Sequence, residues 1–362
     1  MTAQRGHEVR LDHITHRFGD FVATNDISID IGGGELVGLL GPSGCGKSTL
    51  LRIVAGFIRQ TEGHVLFGGQ PVDHLGPRNR RVGIVFQNYA LFPHMTIAEN
   101  VAYGLQAQGW PRDRIAPRVK QMLDLVHMGH LAERKPKQLS GGQQQRIALA
   151  RCLAVDPQVL LLDEPFGALD KNLRLDMQIE VKRLQREYGI TTILVTHDQE
   201  EALSMSDRIA VMNLGRIEQI SAPMEIYDRP QTMFVNQFVG TTNLIPATFV
   251  GAAGNAAAVT LDSGEQMMVA AARTFQSGSK VTISVRPEHL RLAKGSDNGA
   301  LAGTVKAVMP LGPHVVYEIE AAGGSLLKIS ESREAASAMR QPGDAVRWVA
   351  ASPEACHVFP AP

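Results

Sequence analysis

Cysteine is scarce in this chain: three residues in 362, at Cys45, Cys152 and Cys356. None has a close pairing partner, which argues against a disulfide framework and for a reducing compartment. Aromatic residues make up only 5% of the sequence, and in its last third no aromatic–basic platform is visible to support an RNA-binding role there. Neither sign of charge dominates: 36 Lys and Arg balance 36 Asp and Glu, so no global field favours nucleic acid as a partner. No run approaches the ~20 apolar residues of a membrane span. The opening stretch Met1-Thr2-Ala3-Gln4-Arg5-Gly6-His7 lacks an apolar signal core. Internal repeats, coiled-coil heptads and low-complexity blocks are also missing. What remains is the expectation of a soluble, cytosolic chain of two or three domains, with any membrane role exerted through a partner.

What is present is Gly41-Pro42-Ser43-Gly44-Cys45-Gly46-Lys47-Ser48-Thr49, which reads G-x-x-x-x-G-K-[ST]. A short, mostly apolar run, Glu35 to Leu40, precedes it and reads as a buried strand. Leu50 to Ala55 follows and reads as the start of a helix with an apolar face. Strand, glycine loop and helix are the context this motif needs. The backbone N–H groups of Gly44 to Ser48 can curl around a phosphate, and the helix N-terminus adds a positive dipole end. Lys47 supplies a point charge for β- and γ-phosphates. The Ser48 hydroxyl suits Mg²⁺, which prefers hard oxygen ligands. A chance match to the four fixed positions is expected in about 1% of chains this long. A nucleotide with its phosphates on this loop, together with Mg²⁺, is therefore the expected ligand.

Elsewhere, apolar runs end in polar residues. Val9 to Ile31 alternates in places and predicts two strands around a turn at Arg17-Phe18-Gly19-Asp20. Phe18 on that turn can stack on an adenine ring or fold onto its own hairpin. Arg81 to Phe86 is a buried strand ending at Gln87. Residues of about 96–155 read as helices, with Ile97, Val101 and Leu105, and Val119, Met122, Leu123 and Val126, at helical spacing. Within them, Leu139-Ser140-Gly141-Gly142-Gln143 puts a capping serine and two glycines at a helix start, a second anion site without a lysine. The helix after it, to Ala154, keeps Ile147, Ala150 and Leu153 on one face. Val159 to Glu164 is an apolar strand closed by two carboxylates. Asp163 can organise Mg²⁺, and Glu164 can act as general base toward an attacking water. Leu173 to Tyr188 reads as an amphipathic helix with Leu175, Ile179, Lys182 and Leu184 on its apolar side. Ile190 to Val195 is a β-branched strand ending at Thr196-His197-Asp198. His197 can bond a γ-phosphate or serve as a structural residue. If the strands ending at Gly41, Gln87, Asp163 and His197 lie parallel in one sheet, all four endings converge on one nucleotide.

With these motifs in this order, residues of about 8–240 resemble the ATP-binding subunit of an ABC transporter. The resemblance implies an α/β P-loop NTPase of the ABC fold, a RecA-like core plus the helical subdomain. It implies a head-to-tail homodimer with ATP held between the phosphate loop of one copy and Ser140, Gly142 and Gln143 of the other. It also implies that Gln87 senses Mg²⁺ and γ-phosphate beside Ser48 and Asp163, that Glu164 activates water, and that His197 and Lys47 hold the γ-phosphate. Phe18 matches the adenine-stacking aromatic. Gly167-Ala168-Leu169-Asp170 departs from the family's Ser-Ala-Leu-Asp at its first residue but keeps Asp170. Cys45 in the loop suggests that a thiol reagent inactivates the protein and that ATP protects it.

After about residue 240 the signals change to short alternating segments, at 258–261, 281–285, 304–308, 315–319 and 347–349, which read as a small β-barrel over 241–362. Ser284-Val285-Arg286-Pro287-Glu288-His289 resembles the marker of the accessory barrel on import-type ABC ATPases. The implied partners are a second copy of the chain, two membrane-spanning permease subunits and, indirectly, a solute-binding protein, with no nucleic acid. The implied location is peripheral, on the cytoplasmic face of the inner membrane. Tyr89 to Thr96 looks most like polyamine and ferric-iron importers, ahead of phosphonate and sugar importers. Two other readings are a soluble ABC protein acting on ribosomes or DNA, and a non-hydrolysing nucleotide switch. The first lacks the fused modules or coiled coils of such chains, and Glu164 argues against the second.

Overall fold

A computed structural model describes residues 6–167, 169–253, 256–270, 275–294, 297, 299–333 and 339–361. Residues 1–5 of the opening stretch, and Ala168 of the 167–170 loop, lie outside the described residues. The chain divides into two compact units, Met1–Ile226 and Tyr227–Pro362.

In the first unit, β1 (Val9–Phe18) and β2 (Phe21–Ile31) form a hairpin, and β3 (Leu36–Leu40) leads into α1 (Lys47–Ala55). Then come β4 (Glu62–Phe67), β5 (Gln70–Pro71), β6 (Val82–Val85) and the helices α2 (Ile97–Ala107), α3 (Arg112–Leu125) and α4 (Gly141–Ala154). The chain returns through β7 (Val159–Asp163), α5 (Lys171–Tyr188), β8 (Thr191–Thr196), α6 (Gln199–Met205), β9 (Arg208–Asn213) and β10 (Arg216–Ser221). β1, β2, β4 and β5 make one antiparallel sheet. The central sheet has the order β10-β9-β3-β8-β7-β6. Its strands β3, β6, β7, β8 and β9 run parallel, which needs apolar faces on both sides; every residue of β3 and β8 is buried. The register pairs Leu40 with Thr196, Val85 with Leu162, and Asp163 with Val195, so these carboxyl ends finish at neighbouring levels.

The α2–α4 segment packs its predicted stripes inward: Ile97, Val101, Leu105, Val119, Met122, Leu123, Val126, Ile147, Ala150 and Leu153 are all buried in one core with β6 and β7 residues. Helix α5 departs from expectation. Leu175 and Ile179 are 56% and 62% exposed. The buried face carries Met177, Val181 and Leu184 with Gln178 and Gln185. At 100° per residue, positions 177, 181 and 184 share a stripe, while 175 and 179 lie on the far side. Lys182, which helical spacing groups with the apolar side, donates to the carbonyls of Ser204 and Met205 at the end of α6.

Helix α7 (Pro223–Asp228) carries the chain across the unit boundary. The second unit continues with α8 (Met233–Phe238), β11 (Asn243–Ala253), β12 (Ala256–Leu261), β13 (Gln266–Ala270) and β14 (Lys280–Val285). It ends with β15 (Leu290–Leu292), β16 (Leu301–Pro310), β17 (His314–Ala321), β18 (Leu326–Ser332), β19 (Ala345–Ala350) and β20 (Cys356–Pro360). Two five-stranded antiparallel sheets, β13-β12-β11-β14-β20 and β15-β19-β16-β17-β18, close on one apolar core around Tyr317 and Trp348. The result is barrel-like. Arg286 from the 284–289 segment is buried and donates to the carbonyls of Tyr227, Asn236 and Thr241, with its guanidinium 4.2 Å from the centre of the Tyr227 ring. That segment ties α8 and its flanks to the strands of its own unit.

Candidate functional site

The loop 41–46 leaves the end of β3 and enters α1. Gly46 has φ +105°, and a Cβ there would lie 2.2 Å from the Ala23 carbonyl, so only glycine fits. Gly44, at φ +80°, faces open space. Lys47 is buried, and its ammonium donates to the carbonyls of Gly41 at 2.7 Å and Pro42 at 2.9 Å. The Cys45 side chain turns inward: it is 3% exposed, and burial pushes its thiol pKa up against the opposing pull of Lys47. Ser43 is exposed, and Pro42, Ser48 and Thr49 are half-buried. The turn between β9 and β10 braces the loop, since Gly215 N–H donates to the Cys45 carbonyl at 3.1 Å and Asn25 N–H donates to the Gly215 carbonyl.

Three more strand ends meet here. The Ser48 hydroxyl donates to Asp163 Oδ1 at 3.4 Å. Burial raises the Asp163 carboxyl above its usual range, with the Ser48 bond opposing. Glu164 follows in the left-handed region at φ +46°, and its N–H donates to the Val195 carbonyl at 2.9 Å. That backbone turn points its carboxylate at two neighbours: Gln87 Nε2 donates to Oε2 at 3.1 Å, and His197 Nδ1 lies 3.1 Å from Oε1. Residues 87, 164 and 197 thus form one polar cluster on three adjacent strand ends. A half-buried carboxylate between an amide and an imidazole can accept a proton from water while its partners hold its orientation.

Other candidates stand apart from this cluster. Phe18 is 51% exposed at the β1–β2 turn, its ring edge-on to His16 with centroids 4.5 Å apart. Ser140 caps α4: its hydroxyl accepts from Gln143 N–H at 3.4 Å, while Gln143 Oε1 accepts from Ser140 N–H at 3.0 Å. Those bonds stay within the helix start. Gly142 is buried, and a Cβ on it would meet Leu173 of α5 at 2.6 Å.

Sequence reasoning assigns no role to Arg174 or to Asp198. Arg174 reaches Asp198 at 2.9 Å and donates to the Leu169 carbonyl at 3.3 Å, while Asp198 caps α6. They bridge the loop after Glu164 to the residue after His197. In sequence, Arg174 reads as a solvated charge on a helix face, while Asp198 three residues before Glu201 carries only the signal of a helix cap, not of its arginine partner.

A glycine loop on a helix start, with a lysine, a serine–aspartate pair and a polarised carboxylate at parallel strand ends, defines a P-loop nucleotide-hydrolysing protein. Residues 24–167 match the ABC transporter family model, and residues 283–359 match the TOBE domain. A spermidine/putrescine import ATP-binding protein PotA from Rubrobacter xylanophilus is 48% identical over 93% of this chain and 90% of its own length. One from Ruegeria pomeroyi is 50% identical over 82% and 80%. Among solved structures, the ATP-binding cassette MJ0796, a dimer in a post-hydrolysis state bound to ADP and Pi, has a TM-score of 0.54 and 34% identity. It covers 59% of this chain and 98% of that one. CbiO1 from Clostridium perfringens, part of the ABC transporter complex cbiONQ, has a TM-score of 0.57 and 31% identity over 60% and 89%. The chain belongs to the ABC transporter family, as an import-type ATP-hydrolysing subunit with a C-terminal TOBE domain.

Proposed function

We propose that the protein powers polyamine uptake, and that Glu164 is the general base of its ATPase reaction. The convergence of Gln87, Glu164 and His197 beside the phosphate loop carries this reading. The triphosphate lies on the N–H groups of 44–48, and Lys47 exchanges its loop carbonyls for β- and γ-phosphate oxygens. Thr49 and the Gly41-Pro42-Ser43 and Cys45-Gly46 turns set the loop's shape, and Phe18 stacks on the adenine. Glu164 takes a proton from the attacking water, and His197 presents its ring to the γ-phosphate. Water adds at phosphorus, the bond to the ADP oxygen breaks, and inorganic phosphate leaves.

The Ser48 and Asp163 oxygens fit Mg²⁺: they are hard donors 3.4 Å apart, and a cation offsets the cost of an ionised, partly buried Asp163. Gln87 adds an amide oxygen of the same kind. Mg²⁺ supplies positive charge against the β- and γ-phosphates.

In this reading two copies pair head to tail, with Ser140, Gly142 and Gln143 of one closing on the nucleotide of the other. ATP binds the closed pair more tightly, and closure drives two membrane-spanning permease subunits fed by a solute-binding protein. No helix among the described residues is long and apolar enough to cross a membrane, which fits a subunit seated peripherally on the cytoplasmic face of the inner membrane. The names of the relatives favour spermidine and putrescine over ferric iron, phosphonate or sugar.

The test has two arms. Glu164→Gln should bind ATP, stop hydrolysing and run as a stable dimer in ATP by size-exclusion chromatography. Deleting the gene should abolish uptake of labelled putrescine and spare ferric-iron uptake. A monomeric variant with normal turnover removes Glu164 from the mechanism, and unchanged putrescine uptake removes the polyamine.

A further inference from the structure

The segment after Gln87 is held in a conformation that L-residues avoid. Tyr89 and Ala90 are consecutive left-handed residues, at φ +59° and +47°. Their own turn contributes two short-range bonds, Tyr89 N–H to the Phe86 carbonyl at 2.8 Å and Ala90 N–H to the Asn88 carbonyl at 2.7 Å. The Tyr89 ring is buried in the α2–α4 core.

The carbonyls of this strained pair point at one side chain. Arg151, in the last turn of α4, donates from Nη2 to the Tyr89 carbonyl at 2.9 Å and from Nη1 to the Ala90 carbonyl at 2.8 Å. Its guanidinium also lies 5.8 Å from the centre of the Phe92 ring. The next residue, Cys152, donates its thiol to the Ile84 carbonyl at 2.9 Å. Neighbouring residues of α4 therefore grip the chain on both sides of Gln87, at Ile84 before it and at Tyr89 and Ala90 after it. A planar fork with two parallel N–H groups suits two adjacent carbonyls, and a lysine ammonium does not reproduce that geometry.

We propose that Arg151 is a positioning residue for catalysis: its fork holds the 89–90 pair in the left-handed state and so aims Gln87 at Glu164. This rests on the reading that Gln87 and Glu164 act on ATP. It adds a specific link, because Ser140 caps the start of α4. Movement at the helix start that faces the second copy reaches the Gln87 loop through the same rigid helix. A structural anchor alone would stabilise the fold and leave the rate per folded molecule intact.

The experiment compares Arg151→Met, Arg151→Lys, Ala90→Gly and the double variant Arg151→Met/Ala90→Gly in the full-length chain, with Gln87→Ala as reference. Turnover is normalised to folded protein, and ATP affinity is measured by equilibrium binding. Arg151→Met is expected to cut kcat by about tenfold or more with ATP affinity kept, and Arg151→Lys should restore little. Glycine adopts positive φ without the steric cost, so the double variant should recover part of the rate lost by Arg151→Met, measured against Ala90→Gly alone. A normal kcat per folded Arg151→Met molecule, or a defect that Arg151→Lys fully repairs, overturns the proposal. If Gln87→Ala turns over normally, the underlying reading of the site fails instead. If Gln87→Ala is slow and Arg151→Met is not, only the positioning role fails.

Discussion

The side-chain amide of Gln87 donates to the carboxylate of Glu164 at 3.1 Å, joining residues that lie 77 positions apart in the chain. The bond exists because β6 and β7 are parallel neighbours in register and both end at the same edge of the sheet. It fixes one carboxylate oxygen, while the His197 ring faces the other.

Glu164→Gln keeps the shape of this cluster and removes its basicity. Turnover should fall by about 10²–10⁴-fold, the usual worth of a positioned general base, with ATP affinity little changed. Steady-state ATPase kinetics beside equilibrium ATP binding check this.

Lys47→Met deletes an ammonium that donates to two loop carbonyls. ATP binding should weaken by at least about tenfold, since a charge-assisted bond is worth about 1.5–3 kcal/mol. Titration with ATP gives the number, and an unchanged affinity would remove Lys47 from the phosphate site.

The Tyr89 hydroxyl is buried without a partner among the described residues, and burial raises its pKa. Tyr89→Phe removes the unsatisfied group while keeping the ring. The variant should gain about 1 kcal/mol, or about 2–4 °C in Tm. A lower Tm by calorimetry would mean the hydroxyl is satisfied in solution.

Glu201 is buried and its pKa is raised, chiefly by desolvation, with the Thr196 hydroxyl bond opposing. A raised carboxyl pKa means that the folded state resists ionisation. The group therefore lowers stability as pH climbs from the unfolded value of 4.5 through the folded one. Glu201→Gln should raise Tm at pH 8 and leave it unchanged below pH 4.5. Thermal melts across that range distinguish this from a pH-independent gain.

All three thiols are buried, with Cys152 pushed up to about 11 and Cys356 to about 12. The expected inactivation through Cys45 therefore changes character, since its thiol faces the interior of the loop and is itself raised. Folded protein at pH 8 should show no fast-reacting thiol, and denatured protein three. Ellman titration before and after denaturant reads this directly.

Sequence alone supplied the phosphate loop, the capped start of α4 and the polar residues ending the strands, because those features rest on local spacing. A P-loop must bring Gly41 to Ser48 around one anion, and a capping box must bring Ser140 to Gln143, so the chemistry is written within a few residues. The alternating segments after 240 were legible for the same reason, as each strand shows one face to a core.

Tertiary structure alone decided which residues meet across long separations. It turned Leu175 and Ile179 of α5 outward and Met177 and Val181 inward, because both sets have helical spacing and only packing selects the buried one. It buried the Cys45 side chain, which the sequence alone places in the loop as a target for a thiol reagent. It gave Arg151 and Arg174 their partners, since a charged residue on a helix face carries no local sign of the carbonyl or carboxylate that another segment brings to it. Hydrogen bonds between distant residues depend on strand order and register, and these are fixed by burying the whole sheet at once.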